Sequence, residues 1–261
     1  MRRDLSDQVM EFFAGHALHC TPASAGPLVT VLFMPALHDP GFTERCACVL
    51  FKSERAKADA FLTADLRVRF LQRRAFRRYC GALATGSPRS LSQIEFTTTV
   101  KRRPYLAEQP RCWFSFSSCR RGFLGAWSST HGIGVDIEDE TESVEANKLA
   151  QKYFSPAEAK AVENAGNLAG ARTFLQLWTL KEAALKSIGE GLPFGLDAFR
   201  FDLTAGLRVI DAPRAHGGAE RFRAYAIDVA GSRAALALHS PSIVVRTTPP
   251  AASTSVPLAR R

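Results

Sequence analysis

The order of apolar and polar residues predicts a chain of mixed strands and helices. Apolar runs predict strands at 28–34, 94–100, 112–117, 122–127, 133–137, 222–229 and 234–239. Helical spacing of apolar residues predicts helices at 53–82, 143–152, 156–165 and 170–188. Because helices and strands mix without a regular βαβ alternation, we predict an α+β fold. Residues 241–261 combine four prolines with Ser, Thr and Ala, a composition typical of a disordered tail.

The positive charge is concentrated in the first half of the chain. The 261 residues include 34 Lys+Arg and 25 Asp+Glu, a formal net charge of +9. Residues 1–130 carry 19 basic and 10 acidic side chains, whereas residues 131–261 carry 15 of each. The predicted helix 53–82 contributes arginines along both flanks of its apolar stripe. This charge predicts an anionic partner: nucleic acid, a phosphorylated cofactor and an acidic protein all fit.

Cysteine spacing and apolar run length bear on the compartment. The six cysteines form no CxxC pair and no zinc-type spacing, which indicates reduced thiols. Asp4, Asp7 and Glu11 interrupt the N-terminal region that would have to be apolar in a secretory signal. No apolar run approaches the ~18 residues of a membrane helix. We therefore expect a cytoplasmic protein with no membrane partner.

Two segments carry candidate chemistry. In 132–139, Asp136 and Glu138 alternate with apolar residues, so a strand would place both carboxylates on one face, close enough to share a cation. In the predicted helix 170–188, Glu182 and Lys186 are four residues apart and share a face. Each segment also has a plainer interpretation, a strand running into an acidic loop and an ordinary surface ion pair. The glycines of 132–134 match a dinucleotide fingerprint poorly.

Taken together, these segments resemble the 4′-phosphopantetheinyl transferases, particularly the larger Sfp-type enzymes. The family has G-(I/V)-D-x-E followed by W-(T/S)-x-K-E-(A/S)-x-x-K, and this chain has GVDIE at 134–138 and WTLKEAALK at 178–186. FSPAE at 154–158 is similar to the family's F-(S/T)-x-x-E. Looser likenesses, to an Arg-rich helix and a K-P-x-L stretch, lie at 74–78 and 103–106. The resemblance covers about residues 45–240.

The resemblance implies a fold and a reaction. It implies two similar α+β halves related by a pseudo-twofold, with the active site between them. We expect a basic half over 1–128, a half with the metal site over 129–240, the tail 241–261, and a monomer. The implied reaction transfers the 4′-phosphopantetheine arm of coenzyme A to a serine of an acidic apo carrier protein, acyl or peptidyl. It depends on Mg²⁺ and releases adenosine 3′,5′-bisphosphate.

The same resemblance assigns residues to roles. The implied metal ligands are Asp136, Glu138 and Glu182. The implied catalytic residues are Glu182, which could take the serine proton, and Lys186, which would reach the pyrophosphate. The implied coenzyme contacts are Arg74, Arg78, Arg103, Ser117, Ser118 and Lys186.

Two positions depart from the family's pattern. The family's N-x-S-H appears here as SFSS at 115–118, so Ser118 stands where a histidine assists phosphate binding. The family's G-K-P appears as Arg102, Arg103 and Pro104, which keeps the charge but loses the glycine. We expect an active enzyme whose coenzyme contacts are altered.

Other functions remain open from the sequence alone. The carboxylates would also serve another Mg²⁺-dependent enzyme of phosphate esters. A non-catalytic homologue that binds a carrier protein would explain Ser118. A basic nucleic-acid-binding protein would use the arginine-rich helix, where Phe70 and Phe76 lie among the arginines, although we do not expect this partner. The sequence does not identify the carrier protein or the general base.

Overall fold

Helices and strands alternate irregularly along the whole described chain. The computed structural model describes residues 4–86, 90–140, 145–204, 206–229 and 231–240. In these residues the helices are α1 (Leu5–His16), α2 (Pro40–Cys48), α3 (Lys52–Asp59), α4 (Ala64–Thr85), α5 (Ala146–Tyr153), α6 (Pro156–Ala165) and α7 (Asn167–Ser187). The strands are β1 (Leu18–His19), β2 (Val29–Pro35), β3 (Phe96–Thr98), β4 (Pro104–Leu106), β5 (Trp113–Cys119), β6 (Gly122–Ser128), β7 (Gly132–Asp139), β8 (Arg200–Asp202), β9 (Arg208–Asp211), β10 (Phe222–Val229) and β11 (Ser232–His239). The α+β prediction is confirmed.

Two antiparallel sheets organise these elements. The first has the strand order β1-β2-β6-β5, and the second has the order β10-β11-β7. The pairs β3-β4 and β8-β9 form separate two-stranded sheets. Helix α4 contacts the first sheet and α7 contacts the second. A pseudo-twofold between two halves, and a division at residues 128/129, stay predictions, and the predicted tail 241–261 lies outside the described residues.

Three apolar clusters fill the spaces between these layers. One lies between the first sheet and helices α1, α2 and α4, and includes Phe13, Phe42 and Phe76. A second lies between α5–α7 and the second sheet. The third joins the two sheets, with Val31 of β2 and Val135 of β7 among its fully buried residues. Alternate residues of each strand therefore serve different cores, as the twofold period of a strand requires.

Local capping signals explain where the helices begin and why some predicted helix bounds are wrong. The predicted helix 53–82 is wrong as a single element, because Thr63 begins a new helix by accepting a hydrogen bond from Leu66 N at 3.3 Å. The pattern also misses α1 and α2. Asp39 caps helix α2, since its carboxylate accepts a hydrogen bond from Phe42 N at 2.8 Å. Pro40 is the first residue of the helix, a position that favours proline. In contrast, the predictions 156–165 and 222–229 match α6 and β10.

Helix α7 lies unusually close to strand β7. A Cβ atom on Gly134 would overlap the carbonyl oxygen of Ala183 and lie 2.6 Å from Ser187 N. A Cβ atom on Gly132 would likewise overlap Ser187 O. The two glycines therefore serve close packing of helix on strand, and this packing decides which side chains of α7 can reach the face of β7.

No helix among the residues described above is long and apolar enough to span a bilayer.

We expect Gly134→Ala to destabilise the fold by about 2–4 kcal/mol, because the added methyl group must push α7 away from β7. Urea unfolding followed by circular dichroism measures the change. Gly15→Ala is the matched control, because a Cβ atom at Gly15 in α1 meets nothing within 4 Å. That control should leave the free energy of unfolding unchanged or slightly higher. Equal stability of Gly134→Ala and the unmodified protein would contradict the close packing.

Candidate active site

The acidic end of β7 presents two carboxylates to α7. Ile133, Val135 and Ile137 are buried in the core between the sheets. The alternate positions, which include Asp136 and Glu138, point to the other face, as the sequence pattern predicts. Asp136 is only 3% exposed, whereas Glu138 is partly exposed. The strand therefore carries a buried carboxylate next to an accessible one.

Lys186 of α7 makes an ion pair with the buried carboxylate. Its Nζ lies 2.6 Å from Asp136 Oδ1 and 3.3 Å from the carbonyl oxygen of Val135. Ala183, the residue that touches Gly134, follows Glu182 by one position and precedes Lys186 by three. The close packing of helix and strand thus places both predicted catalytic side chains of α7 near Asp136.

Strand β5 of the first sheet completes this network from the other side. The hydroxyl of Ser117 donates a hydrogen bond to Asp136 Oδ1 at 2.8 Å and accepts a long one from Lys186 Nζ at 3.5 Å. Two residues earlier, Ser115 Oγ accepts a hydrogen bond from Val135 N at 3.0 Å. The two sheets therefore meet through serine side chains, and Ser115 is a contact that the sequence does not assign.

The carboxylates of this site perturb one another. The pKa of Glu138 is raised to about 7, chiefly by burial and then by the negative charge of Asp136; Asp139 and Glu182 act in the same direction, and Lys186 opposes them. Burial also raises the pKa of Glu182, as does Asp136, while Lys186 lowers it. The second oxygen of Asp136, Oδ2, is buried without a hydrogen-bond partner. The site therefore holds more negative charge than its lysine balances.

These features bear on the predicted metal ligands. The unpaired oxygen of Asp136 and the mutual repulsion of the carboxylates fit a cation, since hard oxygen ligands are those that Mg²⁺ prefers. However, no three His, Cys, Asp or Glu side chains converge on one point within the described ranges. Asp136, Glu138 and Glu182 as a complete ligand set stay a prediction.

The lysine just before Glu182 has a structural position instead. Lys181 is fully buried, and its Nζ donates to Glu158 Oε2 at 2.9 Å and to the carbonyl oxygens of Leu196 and Phe199. Burial lowers the pKa of Lys181, and the charge of Glu158 opposes that effect. Glu158 also caps α6 by accepting from Ser155 N at 3.1 Å. A buried ion pair thus joins 154–158 and 178–186, the two segments that resemble the family's motifs.

Two of the predicted coenzyme arginines bind an acidic residue of α3. Arg78 is 4% exposed and makes two hydrogen bonds to Glu54, at 3.3 and 2.7 Å, while stacking on Phe51. Arg74 Nε lies 3.6 Å from Glu54 Oε1. Both guanidinium groups tie α4 to α3, so their predicted contacts with a coenzyme stay predictions.

A basic cleft opens beside the Asp136 network. It has a volume of about 180 Å³. Its charged lining consists of Arg77, Lys101, Arg102, Arg103, Lys186 and Glu190. Two of the predicted coenzyme residues, Arg103 and Lys186, therefore share one cleft, and the Arg103 guanidinium stacks on Trp113 at 3.6 Å. Glu190 is ion-paired with Lys101.

Arg77 is the cleft residue that the sequence does not single out. Its guanidinium lies over the ring of Phe116 at 5.1 Å, and its Nε is buried without a hydrogen-bond partner. Burial lowers the pKa of Arg77 to about 10, helped by the positive charges of Arg74 and Arg73. Only its place on the flank of the predicted helix hints at this role, because the cleft forms from elements distant in sequence.

The two predicted serine contacts point to opposite sides of β5. Ser117 faces Asp136, whereas Ser118 shares the face of Phe116, which packs toward α4. Ser118 does not line the cleft described above. Its contact with a coenzyme stays a prediction.

Comparison with known proteins identifies the same segment. A model of the 4′-phosphopantetheinyl transferase superfamily matches residues 132–234, a segment that includes β7, α7 and β10 and ends within β11. The Synechocystis protein slr0495, named as a 4′-phosphopantetheinyl transferase, is 32% identical over 153 residues, which cover 57% of this chain and 61% of that protein.

Two further relatives carry the same name. The 4′-phosphopantetheinyl transferase HetI of Nostoc is 27% identical over 56% of this chain and 62% of its own. The 4′-phosphopantetheinyl transferase Sfp of Bacillus subtilis is 29% identical over 57% of this chain and 65% of its own. The chain thus spans less than two thirds of the length of each of these relatives. As its motifs predict, the segment 132–234 matches the 4′-phosphopantetheinyl transferase superfamily.

Proposed function

We propose that this protein is an Sfp-type 4′-phosphopantetheinyl transferase, which moves the phosphopantetheine arm of coenzyme A to a serine of an apo acyl or peptidyl carrier protein. One observation carries the proposal. Asp136, Lys186 and Ser117 form a network at the edge of a basic cleft, within or beside the family segment. A phosphate-bearing substrate in the cleft would have its reacting groups next to the carboxylates.

The cleft fits the phosphates of coenzyme A. Arg103 and Lys186 present positive charge from the two sides of the cleft, and no acidic side chain lies within 4 Å of Arg103 among the described residues. Guanidinium forks bind phosphate oxygens well. We also propose coenzyme contacts for Arg74, Arg78 and Ser118, none of which lines the cleft. The two arginines would exchange their ion pairs with Glu54 for a coenzyme phosphate.

The proposed reaction assigns a step to each of these groups. The serine hydroxyl of the carrier attacks the pyrophosphate phosphorus that bears pantetheine, the new O–P bond forms, and the bond to the bridging oxygen breaks. Adenosine 3′,5′-bisphosphate leaves with the electron pair. Glu182 takes the serine proton, which its raised pKa favours, and Lys186 balances the charge that develops on the leaving oxygen.

We propose Asp136, Glu138 and Glu182 as the oxygen ligands of Mg²⁺. A divalent cation held by these carboxylates would stabilise the negative charge of the transition state. The buried, unpaired Oδ2 of Asp136 and the raised pKa of Glu138 support this ligand set, because a cation would offset both.

The carrier protein and the compartment complete the proposal. An acidic carrier would bind the basic first half of the chain through salt-sensitive contacts. Because residues 77–116 and 186–190 of a single chain together line the cleft, we propose a monomer. The cysteines among the described residues are all free, and Cys48 is exposed, which fits the reducing cytoplasm.

The direct test incubates the protein with coenzyme A, Mg²⁺ and apo carrier proteins, and measures carrier mass. We expect each accepted carrier to gain the mass of one phosphopantetheine arm. Asp136→Asn and Glu182→Gln should each lower the rate by about 100-fold or more, the range expected when a metal ligand or general base is lost.

Asp202→Asn is the matched control, because Asp202 is a carboxylate of β8 that pairs with Arg208 away from the cleft. It should leave the rate unchanged. No mass gain on any carrier, under conditions where an authentic transferase works, would contradict the proposed function.

The raised pKa of Glu138 predicts how stability depends on pH. The folded carboxyl holds its proton more tightly than an unfolded one with its pKa of 4.5, so Glu138 lowers the free energy of unfolding as pH rises from about 4.5 to about 7. Without divalent cations, we expect wild type to lose about 1–2 kcal/mol relative to Glu138→Gln between pH 4.5 and 8, allowing for solvent screening. Urea unfolding of both proteins at each pH measures this difference.

Mg²⁺ provides the second arm of that experiment. At pH 8, Mg²⁺ should stabilise wild type and leave Glu138→Gln less affected, because a neutral amide is a weaker ligand for this cation. A pH-independent difference between the two proteins would show that Glu138 titrates normally. Equal stabilisation of both by Mg²⁺ would remove Glu138 from the ligand set.

A further inference from the structure

A strained arginine stands at the mouth of the basic cleft. Arg102 has φ of 63°, the only positive φ of a non-glycine residue in the described chain. It closes the turn between β3 and β4, where Arg102 N donates to Thr99 O at 2.8 Å and Thr99 N donates to Arg103 O at 2.9 Å. Glycine adopts this left-handed conformation without penalty, whereas arginine does not. The strain at this position indicates that the arginine side chain has a function.

A second arginine reaches the same cleft from α4. Arg77 lies over Phe116, with its Nε buried and without a hydrogen-bond partner. Among the described residues no carboxylate lies within 4 Å of Arg77 or Arg102, whereas Arg74 and Arg78 both meet Glu54. The partly buried guanidinium of Arg77, with no carboxylate beside it, favours an anion that comes from outside the chain, and the exposed Arg102 adds positive charge to the same cleft.

We propose that Arg77 and Arg102 form a phosphate subsite of the cleft and set the affinity for the coenzyme. The inference rests on the proposed function for the identity of the ligand. The two side chains are additional to Arg103 and Lys186, and they line one continuous cleft with them. The subsite takes a phosphate monoester or a pyrophosphate, and coenzyme A contains both groups.

Equilibrium binding separates this subsite from a role in folding. Titration calorimetry of the full chain with coenzyme A should show a Kd about 10-fold higher or more for Arg77→Gln and for Arg102→Gly, the loss expected for one charge-assisted phosphate contact. Arg77→Lys, which keeps the charge but not the fork, should show a smaller loss. Arg111→Gln is the matched control, because Arg111 is exposed and does not line the cleft; its Kd should not change.

Thermal unfolding separates binding from stability, because Arg102→Gly should weaken binding without lowering the Tm. Arg102→Gly relieves the left-handed strain, so its Tm should equal or exceed that of wild type although it binds coenzyme A more weakly. Arg111→Gly has no such strain to relieve, and its Tm should fall by about 1–2 °C. An unchanged Kd for both Arg102→Gly and Arg77→Gln would overturn the subsite.

Two further ligands identify the phosphate that is bound. If Arg77→Gln weakens coenzyme A but not dephospho-coenzyme A, the subsite holds the 3′-phosphate. If it weakens both, and weakens inorganic pyrophosphate as well, the subsite holds the pyrophosphate. Either result supports the proposal, and a wild-type protein that binds none of the three ligands refutes it. Arginine-dependent binding without carrier modification would instead uphold the subsite and refute the transferase.

Discussion

The approach of helix α7 to strand β7 constrains the whole site. Gly134 has no side chain, so the backbone at Ala183 can lie directly on the strand. At that separation Lys186 reaches Asp136 at 2.6 Å and also donates a hydrogen bond to a backbone carbonyl of the same strand. A helix held farther from the strand would weaken this ion pair and leave the buried Asp136 with Ser117 as its hydrogen-bond donor but with less positive charge beside it, which is costly for a buried carboxylate. Packing and chemistry at this site therefore depend on the same two glycines.

Much of the fold follows from short-range signals. Ser155 and Pro156 with Glu158 form a capping box, so the start of α6 is readable in the sequence. The signals for α2 and for the break before α4, at Asp39 and Thr63, are equally local, but the continuous helical period of 53–82 masks the second of them. The order of strands in the sheets is different in kind, because residues far apart in sequence decide which strands pair.

The site divides in the same way. Alternation along β7 and the four-residue spacing in α7 predict which faces carry Asp136, Glu138, Glu182 and Lys186. The surroundings of these side chains depend on tertiary packing, which brings the serine side chains of β5 to Asp136. Packing also pairs Arg78 with Glu54 of α3 and places Arg77 in the cleft. Arg77 and Arg78 are adjacent on α4, yet one lines the cleft and the other is paired with an acid. Charge and spacing in the sequence do not distinguish the two.

The meeting of β5 with β7 has a consequence for how the chain can be divided. Strand β7 pairs with β11 on one edge. At its other edge Ser115 Oγ accepts a hydrogen bond from Val135 N, and Ser117 binds the side chain of Asp136. If the segment matched by the family model were produced alone, from residue 132 onward, that edge would face water with open backbone groups. Exposed strand edges invite pairing between copies. The start of the matched segment thus runs through the contact between β5 and β7, and the first sheet covers an edge of β7 that would otherwise be open to pairing.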